Sequence, residues 1–466
     1  MSTDLLPLFH PSSMAIIGAS SDKSKFSNRV VDALRALGYQ GTIYLVNTNT
    51  KAVPGERVYR QVSDIPGEID LAVLFVPARV VPSAIEDCVQ KGVKVAIVHG
   101  AGFAELGEEG RVLQEAMAQK ACAAGLRIVG PNCMGIACPS SHINMITTRY
   151  PNFESGGLGF AGQSGWATEY ALINGSDRGL GFSAVVSCGN QADLTIADYL
   201  EYFSSDPDTK VIGAYVEGFK DGQRFFNAAG RAARQKPVVI WKSGKTPSGA
   251  RFTQSHTGSM AGAEAVARAV FSQVGVEEAV GIEDLMDALV AFHSPLLPRG
   301  RRVGVVVDTG GIGVAACDAS EATGLEIPQL PINAQQELQD FLKKYLPPFA
   351  GIANPVDLVW APPGLEEEIY GRSMEIMAPW VDSFIVGYYP SDNHEGLARL
   401  LAELRDRLQK PILSVPPYGH VMQPFMRLCT RLGVPSFDSM ERAVRALRRL
   451  VRRAEWLGEI GGTSDT

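Results

Sequence analysis

The sequence lacks paired cysteine motifs, long apolar runs and a basic N-terminal region. Its seven cysteines are thinly spread among 466 residues without a CxxC pair, so we expect reduced thiols, a cytoplasmic location and no bound metal. Apolar runs such as 71–78 stop well short of the roughly 18 residues that a membrane span needs. Because the first ten residues, MSTDLLPLFH, also carry no basic region, the sequence predicts neither export nor membrane insertion.

An excess of positive charge is also missing. The chain has 43 basic and 50 acidic residues, a formal charge of −7, so no overall field attracts nucleic acid or anionic lipid. Arginines do cluster at 442–453, but apolar residues recur there at helical spacing. We therefore predict a solvated basic face over a packed stripe, in preference to nucleic-acid binding. Small ligands and protein partners are the expected binding partners.

The pattern that is present is an α/β alternation repeated in three layers, and the length predicts about three domains. Predicted strands of the first layer lie at 14–18, 42–47, 71–77, 93–99 and 127–130, with helices at 25–37, 80–91 and 108–124. The second layer has strands near 158–162, 183–187, 211–217 and 237–242, and the third has strands at 303–307, 383–388 and 411–415, with a final helix from about 441. The predicted domains are 1–150, 151–298 and 299–466.

A glycine turn ends the first predicted strand. In AIIGAS, at 15–20, Gly18 could let backbone N–H groups and the helix dipole hold a phosphate, or it could simply let the helix pack on the strand. The full GxGxxG pattern is absent, and the second strand ends in Asn47 where a dinucleotide enzyme would place an acidic residue. An NAD-dependent oxidoreductase is therefore disfavoured.

Two further strand-to-helix turns occupy equivalent places in the second and third layers. One contains Gln163-Ser164-Gly165 and the other Thr309-Gly310-Gly311. Each alone is consistent with an ordinary tight turn. Together they predict two helix N-termini that converge on one anion.

Residues 243–262 form a long segment without a hydrophobic run, and structureless loops of this length are usually functional. The single histidine of this loop, His256, has small neighbours, and a neutral imidazole is a good nucleophile, although a solvated surface histidine is an equal alternative. Glu217 ends the strand at 211–217. If this strand lies beside the strand at 237–242, its carboxylate could orient the imidazole.

Four motifs, in order along the chain, resemble one family. They are GPNCMG at 130–135, QSG at 163–165, QSHTGSMAG at 254–262 and NPVD at 354–357. With them the chain resembles the α subunit of ADP-forming (NDP-forming) acyl-CoA synthetases, relatives of succinyl-CoA synthetase. The resemblance implies a Rossmann-like CoA-binding domain at 1–150 and two flavodoxin-like ligase domains at 151–298 and 299–466, the first carrying a phosphohistidine loop at 243–262.

The resemblance also implies roles for individual residues. His256 would be phosphorylated and Glu217 would orient it. The implied phosphate-binding residues are Gln163, Ser164, Gly165, Thr309, Gly310 and Gly311. The implied CoA-binding residues are Gly18, Ala19, Ser20, Lys25, Asn47, Val76, Pro77, Ala101, Gly102 and Asn132.

The implied activity is the reversible conversion of acyl-CoA, ADP and phosphate into a carboxylic acid, CoA and ATP, through an acyl phosphate and a phosphohistidine. The third layer leaves no stretch for the ATP-grasp module of such enzymes, so we expect a β subunit that binds ADP or ATP with Mg²⁺, in an α2β2 assembly. The alternative is a non-catalytic CoA-binding, CoA-sensing or scaffold protein of the same fold. The sequence departs from the pattern of many relatives at 23–26, which lack a glycine, at Thr48, which replaces a proline after Asn47, and at Trp166, which replaces a small residue. If the Trp166 ring faces the acyl site, the acid pocket is reshaped.

Overall fold

The computed structural model describes residues 4–148, 153–249, 251, 264–362, 364–388, 394–418 and 421–461. They form three sheets in two compact units, one of residues 1–173 and 181–285 and the other of residues 174–180 and 286–466. None of the helices in these ranges combines the length and the apolar character needed to cross a bilayer.

The first sheet is fully parallel and has the strand order β3-β2-β1-β4-β5-β6. Its strands are β1 Ser13–Ile17, β2 Thr42–Val46, β3 Val58–Tyr59, β4 Leu71–Leu74, β5 Val95–Val98 and β6 Arg127–Val129. The helices of this layer are α1 Leu6–Phe9, α2 Phe26–Leu37, α3 Val81–Lys91 and α4 Glu108–Ala123. The five predicted strands and three predicted helices are confirmed, because buried β-branched runs between turns specify parallel strands.

The second sheet has the order β13-β12-β11-β9-β10-β7-β8. Its strands are β7 Gly135–Cys138, β8 Ile143–Asn144, β9 Ser155–Gly162, β10 Phe182–Ser187, β11 Val211–Val216, β12 Val238–Lys242 and β13 Glu277–Ala279. The helices are α5 Gly165–Asp177, α6 Ile196–Ser205, α7 Gly222–Gln235, α8 Glu264–Val274 and α9 Ile282–Phe292. The hairpin β7–β8 precedes residue 150 yet pairs antiparallel with β10, so the second sheet takes strands from both sides of the domain limit that the sequence predicts.

Polar contacts join these two layers within the first unit. The Arg127 guanidinium, on the last strand of the first sheet, lies 2.8 Å from the Asp193 carboxylate and 3.6 Å from that of Asp198. Asp198 also lies 2.5 Å from the Arg224 guanidinium and closes a capping box with Thr195 at the start of α6. A buried carboxylate that is paired on two sides fixes the packing of these elements.

The third sheet, in the second unit, is parallel with the order β15-β14-β16-β17. Its strands are β14 Val303–Val307, β15 Val356–Asp357, β16 Ser383–Gly387 and β17 Ile412–Val415. The helices are α10 Gly310–Ala322, α11 Ile332–Leu342, α12 Glu366–Met377, α13 His394–Leu408, α14 Gln423–Arg431 and α15 Met440–Gly461. The three strands predicted for this layer and its final helix are confirmed.

The final helix α15 differs in one respect from the prediction. Its apolar stripe is packed as predicted, with Leu447 completely buried. Two of its arginines are not solvated, however, since Arg449 and Arg453 are each 7% exposed. The Arg453 guanidinium carbon lies 5.2 Å from the centre of the Trp456 ring, and burial lowers the pKa of Arg453 to about 10. An aromatic face partly replaces the water that this cation loses.

Candidate functional site

The predicted CoA-binding residues lie along one edge of the first sheet. Each follows the carboxyl end of a strand or begins the helix after it: Gly18, Ala19 and Ser20 follow β1, Lys25 caps α2, Asn47 follows β2, Val76 and Pro77 follow β4, Ala101 and Gly102 follow β5, and Asn132 follows β6. The strand order reverses between β1 and β4. In open α/β sheets, ligands bind in the crevice outside such a reversal.

Gly18 lies at this crevice and makes a close backbone approach. Its φ is +88°, and a Cβ atom added to it would lie 2.6 Å from the carbonyl oxygen of Phe75. Nearby, the side chain of Asn47 donates to the carbonyl of Ala19 at 2.8 Å. An aspartate could not make this bond because a carboxylate has no hydrogen to donate. Asn47 therefore stabilises the glycine turn, and the acidic ribose partner of a dinucleotide enzyme is absent from this position.

A polar network borders the other side of the crevice. The backbone N–H of Asn132 donates to the carbonyl of Gly100 at 3.0 Å, and its side chain donates to Asn190 at 3.4 Å. Asn190 in turn donates to Glu105 at 2.6 Å, and Glu105 also accepts from the N–H of Gly102 at 2.5 Å. Burial alone would raise the pKa of the Glu105 carboxyl, yet these donors favour the charged form and lower it.

Two side chains of this network, those of Glu105 and Asn190, lie outside the predicted set. The available signal was their position, because each is a polar residue shortly after a buried strand. A cluster of three aromatic rings at this edge of the sheet also lies outside the predicted set. The ring of His99, which follows β5, lies 4.5 Å from that of Phe26 and 5.1 Å from that of Phe75.

Glu217 lies in the second sheet, at the point that the sequence predicts. Strand β11, which it follows, pairs with β12, and Val216 is in register with Lys242. The condition stated for Glu217 is therefore met: its strand neighbours the strand from which the loop 243–262 departs. His256 itself lies outside the described residues, so its position relative to Glu217 stays a prediction.

Glu217 is 7% exposed, and its two carboxylate oxygens differ. Oε1 accepts a hydrogen bond from the Tyr215 hydroxyl at 3.3 Å. Oε2 is buried and has no hydrogen-bond partner in the part of the chain that the structure describes. Buried polar atoms are rarely left unpaired, so this oxygen is available for a donor such as an imidazole N–H.

The root of the histidine loop 243–262, which is Ser243, is attached to the end of β11 beside Glu217. The N–H of Ser243 donates to the carbonyl of Val216 at 2.9 Å. The buried ammonium of Lys242 donates to the carbonyls of Glu217, at 2.8 Å, and of Ser243, at 2.5 Å. The first residue of the loop is thus fixed beside Glu217.

Gln163, one of the predicted phosphate-binding residues in the first unit, makes several hydrogen bonds with the end of β11. Both polar atoms of its side chain and its backbone N–H make hydrogen bonds with residues 215–218. Ser164 and Gly165 then start α5. A Cβ atom on Gly165 would lie 2.8 Å from Sδ of Met134, so the motif at 163–165 packs closely on the motif at 130–135.

Trp166 is 56% exposed in the first turn of α5. Its ring centre lies 5.7 Å from that of Tyr170 and 6.5 Å from that of Trp241, and Trp241 lies 4.8 Å from Tyr215. An aromatic cluster therefore connects the predicted phosphate-binding turn with the residue that bonds Glu217.

The other predicted phosphate-binding residues lie in the second unit. Thr309 caps α10, and Gly310 and Gly311 form its first turn. The Thr309 hydroxyl is buried without a hydrogen-bond partner among the residues described. A Cβ atom on Gly310 would lie 3.0 Å from a carboxylate oxygen of Asp357, in the NPVD motif. Convergence of this helix with α5 stays a prediction, because the two helix N-termini belong to different units.

Comparison with curated proteins shows the family of this chain. The chain is 36% identical over 461 residues to the α subunit of ADP-forming acetate–CoA ligase II of Pyrococcus furiosus, and the match covers 97% of this chain and 98% of that protein. The chain belongs to the family of ADP-forming acyl-CoA synthetase α subunits. Family profiles also match in three parts: a CoA binding domain at 12–139, a succinyl-CoA ligase like flavodoxin domain at 155–292 and a ligase-CoA domain at 303–412.

Solved structures of this fold include the dinucleotide-forming acetyl-coenzyme A synthetase 1 of Ca. Korarchaeum cryptofilum in complex with phosphate and ADP. It has a TM-score of 0.87 and 31% identity, with 100% of both chains covered. A Pyrococcus horikoshii OT3 protein has a TM-score of 0.84 and 32% identity, covering 97% of this chain and 100% of that chain. The resemblance to the family is therefore confirmed, as is the fold class of a CoA-binding domain followed by succinyl-CoA ligase domains.

Within the described ranges, no group of three or more His, Cys, Asp or Glu side chains is arranged to hold a metal ion.

Proposed function

We propose that this chain is the α subunit of a cytoplasmic ADP-forming acyl-CoA synthetase, and that it processes CoA thioesters and carries the phosphoryl group on His256. CoA would lie along the carboxyl edge of the first sheet. Phosphate would bind at the N-termini of α5 and α10, where helix dipoles and backbone N–H groups favour an anion.

The proposed reaction has three reversible steps. A phosphate oxygen attacks the thioester carbonyl carbon, the carbon–sulfur bond breaks, and CoA leaves as its thiolate. A nitrogen of His256 then attacks the phosphorus of the acyl phosphate, and the carboxylic acid leaves as its carboxylate. Finally the phosphoryl group passes from the imidazole to ADP. Phosphoryl transfer depends mainly on positioning and on charge neutralisation, which helix dipoles and backbone donors supply.

One observation carries this proposal: the buried, unpaired Oε2 of Glu217 beside the root of the histidine loop, within the described residues. A carboxylate that accepts one imidazole N–H fixes the tautomer, directs the other nitrogen at phosphorus and stabilises the cationic phosphoimidazole. A protein that only binds CoA would have no need for a buried carboxylate here.

A separate partner subunit is part of the proposal. The match covers 98% and 97% of two Pyrococcus furiosus proteins that are named subunit alpha. It covers only 63% of the Archaeoglobus fulgidus ADP-forming acetate–CoA ligase I, whose name designates no subunit. The remainder of that longer protein is the counterpart we propose for an ATP-grasp β subunit that holds the nucleotide and Mg²⁺, in an α2β2 assembly.

The carboxylic acid differs among relatives. One, 29% identical, is named 4-hydroxybutyrate–CoA ligase of Nitrosopumilus maritimus, and another, 32% identical, is named trans-feruloyl-CoA synthase. The substrate of this chain is thus best identified by a coupled assay across carboxylic acids in the presence of the β subunit.

A labelling experiment tests the function without the nucleotide partner. The chain is incubated with acetyl-CoA and radiolabelled phosphate, and the experiment is repeated with an aryl-CoA and with the variant His256→Ala. We expect acid-labile, base-stable label on the wild-type chain and none on the variant. Label that persists in the variant would remove His256 from the mechanism. CoA binding without label, even when γ-labelled ATP and a β subunit are supplied, would favour the non-catalytic alternative.

A further inference from the structure

Tyr215 lies between the root of the histidine loop and the Glu217 carboxylate. Its hydroxyl accepts a hydrogen bond from Oγ of Ser243 at 2.8 Å and donates to Oε1 of Glu217 at 3.3 Å. The three side chains therefore form one directed chain of hydrogen bonds, from the first residue of the loop to the carboxylate.

The available protons determine the direction of both hydrogen bonds. A carboxylate that is ionised can only accept, and a tyrosine hydroxyl has a single proton, so the Ser243 proton must point at Tyr215 and the Tyr215 proton at Glu217. Burial, the largest cause, raises the pKa of Tyr215 to about 12, and the neighbouring carboxylate adds to the rise. The hydroxyl therefore remains protonated and remains a donor at neutral pH.

The tyrosine ring has little freedom to leave this position. Tyr215 is 8% exposed, and its ring packs edge-on against that of Trp241, with 4.8 Å between the centres. The residues on both sides of the contact are anchored as well, since the Lys242 ammonium bonds the carbonyls of Glu217 and Ser243. The hydroxyl is thus held by packing as well as by its own hydrogen bonds.

We propose that Tyr215 is a positioning residue for phosphoryl transfer: by occupying Oε1 of Glu217 it fixes the carboxylate so that Oε2 faces the phosphorylated imidazole. This inference rests on the proposed function of the chain. It assigns to Tyr215 a role that neither the four motifs nor the predicted site residues contain. Tyr215 acts through Glu217 and does not touch the reacting atoms.

The test compares Tyr215→Phe with Tyr199→Phe in the labelling reaction described above. Tyr199 is a matched control, because it is completely buried in the same unit and its hydroxyl has no hydrogen-bond partner among the described residues. Hydrogen bonds to charged groups contribute about 1.5–3 kcal/mol, and at 3.3 Å this one belongs at the lower end, so we expect Tyr215→Phe to slow labelling about tenfold. We expect Tyr199→Phe to change the rate less than twofold and both variants to bind CoA as the wild type does.

A double variant separates positioning from general destabilisation. If Tyr215 acts through the carboxylate, Tyr215→Phe should cause no further loss in a chain that already carries Glu217→Gln, whereas a merely structural effect would add to that of the first substitution. If Tyr215→Phe does not fold, Ser243→Ala removes the donor to the same hydroxyl and should slow labelling about twofold to threefold.

The outcomes also separate the inference from the function on which it rests. Wild-type labelling that is lost in His256→Ala but unchanged in Tyr215→Phe, or additive losses in the double variant, would overturn the role of Tyr215 alone. Absence of label on the wild-type chain with every thioester tested would instead contradict the proposed function.

Discussion

Gln163 holds the backbone of Glu217 through its side-chain amide. Its Oε1 accepts from the N–H of Glu217 at 2.5 Å and from that of Gly218 at 3.0 Å, and its Nε2 donates to the carbonyl of Gly218 at 2.7 Å. The residue is 5% exposed. The end of β9, which leads into the predicted phosphate-binding turn, therefore fixes the end of β11, which carries the proposed orienting carboxylate.

Replacement of Gln163 by leucine should lower the stability of the chain and slow its phosphorylation. Leucine has a similar size but would leave two N–H groups and one carbonyl buried without partners, and each such group costs about 1–3 kcal/mol. We expect a lower midpoint of thermal unfolding and at least a tenfold slower labelling of the chain. The control is Gln223→Leu on the exposed surface of α7, which should change neither. Wild-type stability in Gln163→Leu would show that these bonds do not hold the site together.

Gly18→Ala should weaken CoA binding. The added Cβ would lie 2.6 Å from the carbonyl oxygen of Phe75, so the turns that follow β1 and β4 would have to move apart. We expect at least a tenfold higher dissociation constant for CoA by titration calorimetry.

The matched control is Gly55→Ala in the same layer. Gly55 has a similar φ of +79°, but no atom lies within 4 Å of its added Cβ. It therefore reproduces the backbone strain of the left-handed region without the steric clash. Equal CoA affinity in Gly18→Ala and Gly55→Ala would contradict the placement of CoA at this turn.

The sequence predicts the strands well because each predicted strand is a short run rich in apolar and β-branched residues between turn residues. The prediction of 42–47 against the observed Thr42–Val46 is typical. It does not predict that β7 and β8 join the second sheet, because this choice depends on pairing with β10, more than forty residues away in the chain. Short-range periodicity contains no information on such a partner.

The site shows the same division between local and long-range information. The position of Glu217 beside the loop root follows from two adjacent strands and was predictable. The part played by the Gln163 side chain was not, because a strand-to-helix turn contains no information on the bonds that this side chain makes to residues 217 and 218. Arg449 and Arg453 are a second example, since helical spacing alone does not reveal which cations an adjacent layer covers.

His99 should make stability depend on pH between about 6.5 and about 4. Burial, aided by the charge of Arg29, lowers the pKa of His99 from 6.5 to about 4. In this window the unfolded chain binds a proton that the folded chain does not. The contribution of His99 to the free energy of unfolding is therefore fully present above pH 6.5 and is lost as the pH falls towards 4.

The variant His99→Phe removes this titration and keeps an aromatic ring between Phe26 and Phe75. We expect the midpoint of thermal unfolding to fall less between pH 7 and pH 4.5 in the variant than in the wild type. The measurement at pH 7, where the imidazole is neutral, serves as the control for any change in packing. Parallel pH curves for the two proteins would show that this imidazole does not contribute.

Trp166 is expected to select among carboxylic acids if the chain functions as proposed. Its indole is half-exposed in the first turn of α5, and its ring centre lies 5.7 Å from that of Tyr170 and 6.5 Å from that of Trp241. A rigid ring beside the proposed phosphate site would limit the volume for the acyl group, because the acyl carbon and the phosphate react there. Trp166→Ala should therefore favour bulkier acids relative to small ones by about tenfold in kcat/KM, since each additional methylene that fits is worth about 1–3 kcal/mol.

The assay compares acids of increasing size, from acetate to aryl acids, in the presence of the β subunit. Trp380→Ala is a suitable control, because this tryptophan is also partly exposed, at 37%, but belongs to a short helical turn before β16. Its acid preference should match that of the wild type, and the affinity for CoA should be the same in all three proteins. An unchanged ranking of acids in Trp166→Ala would mean that the indole faces away from the acyl group.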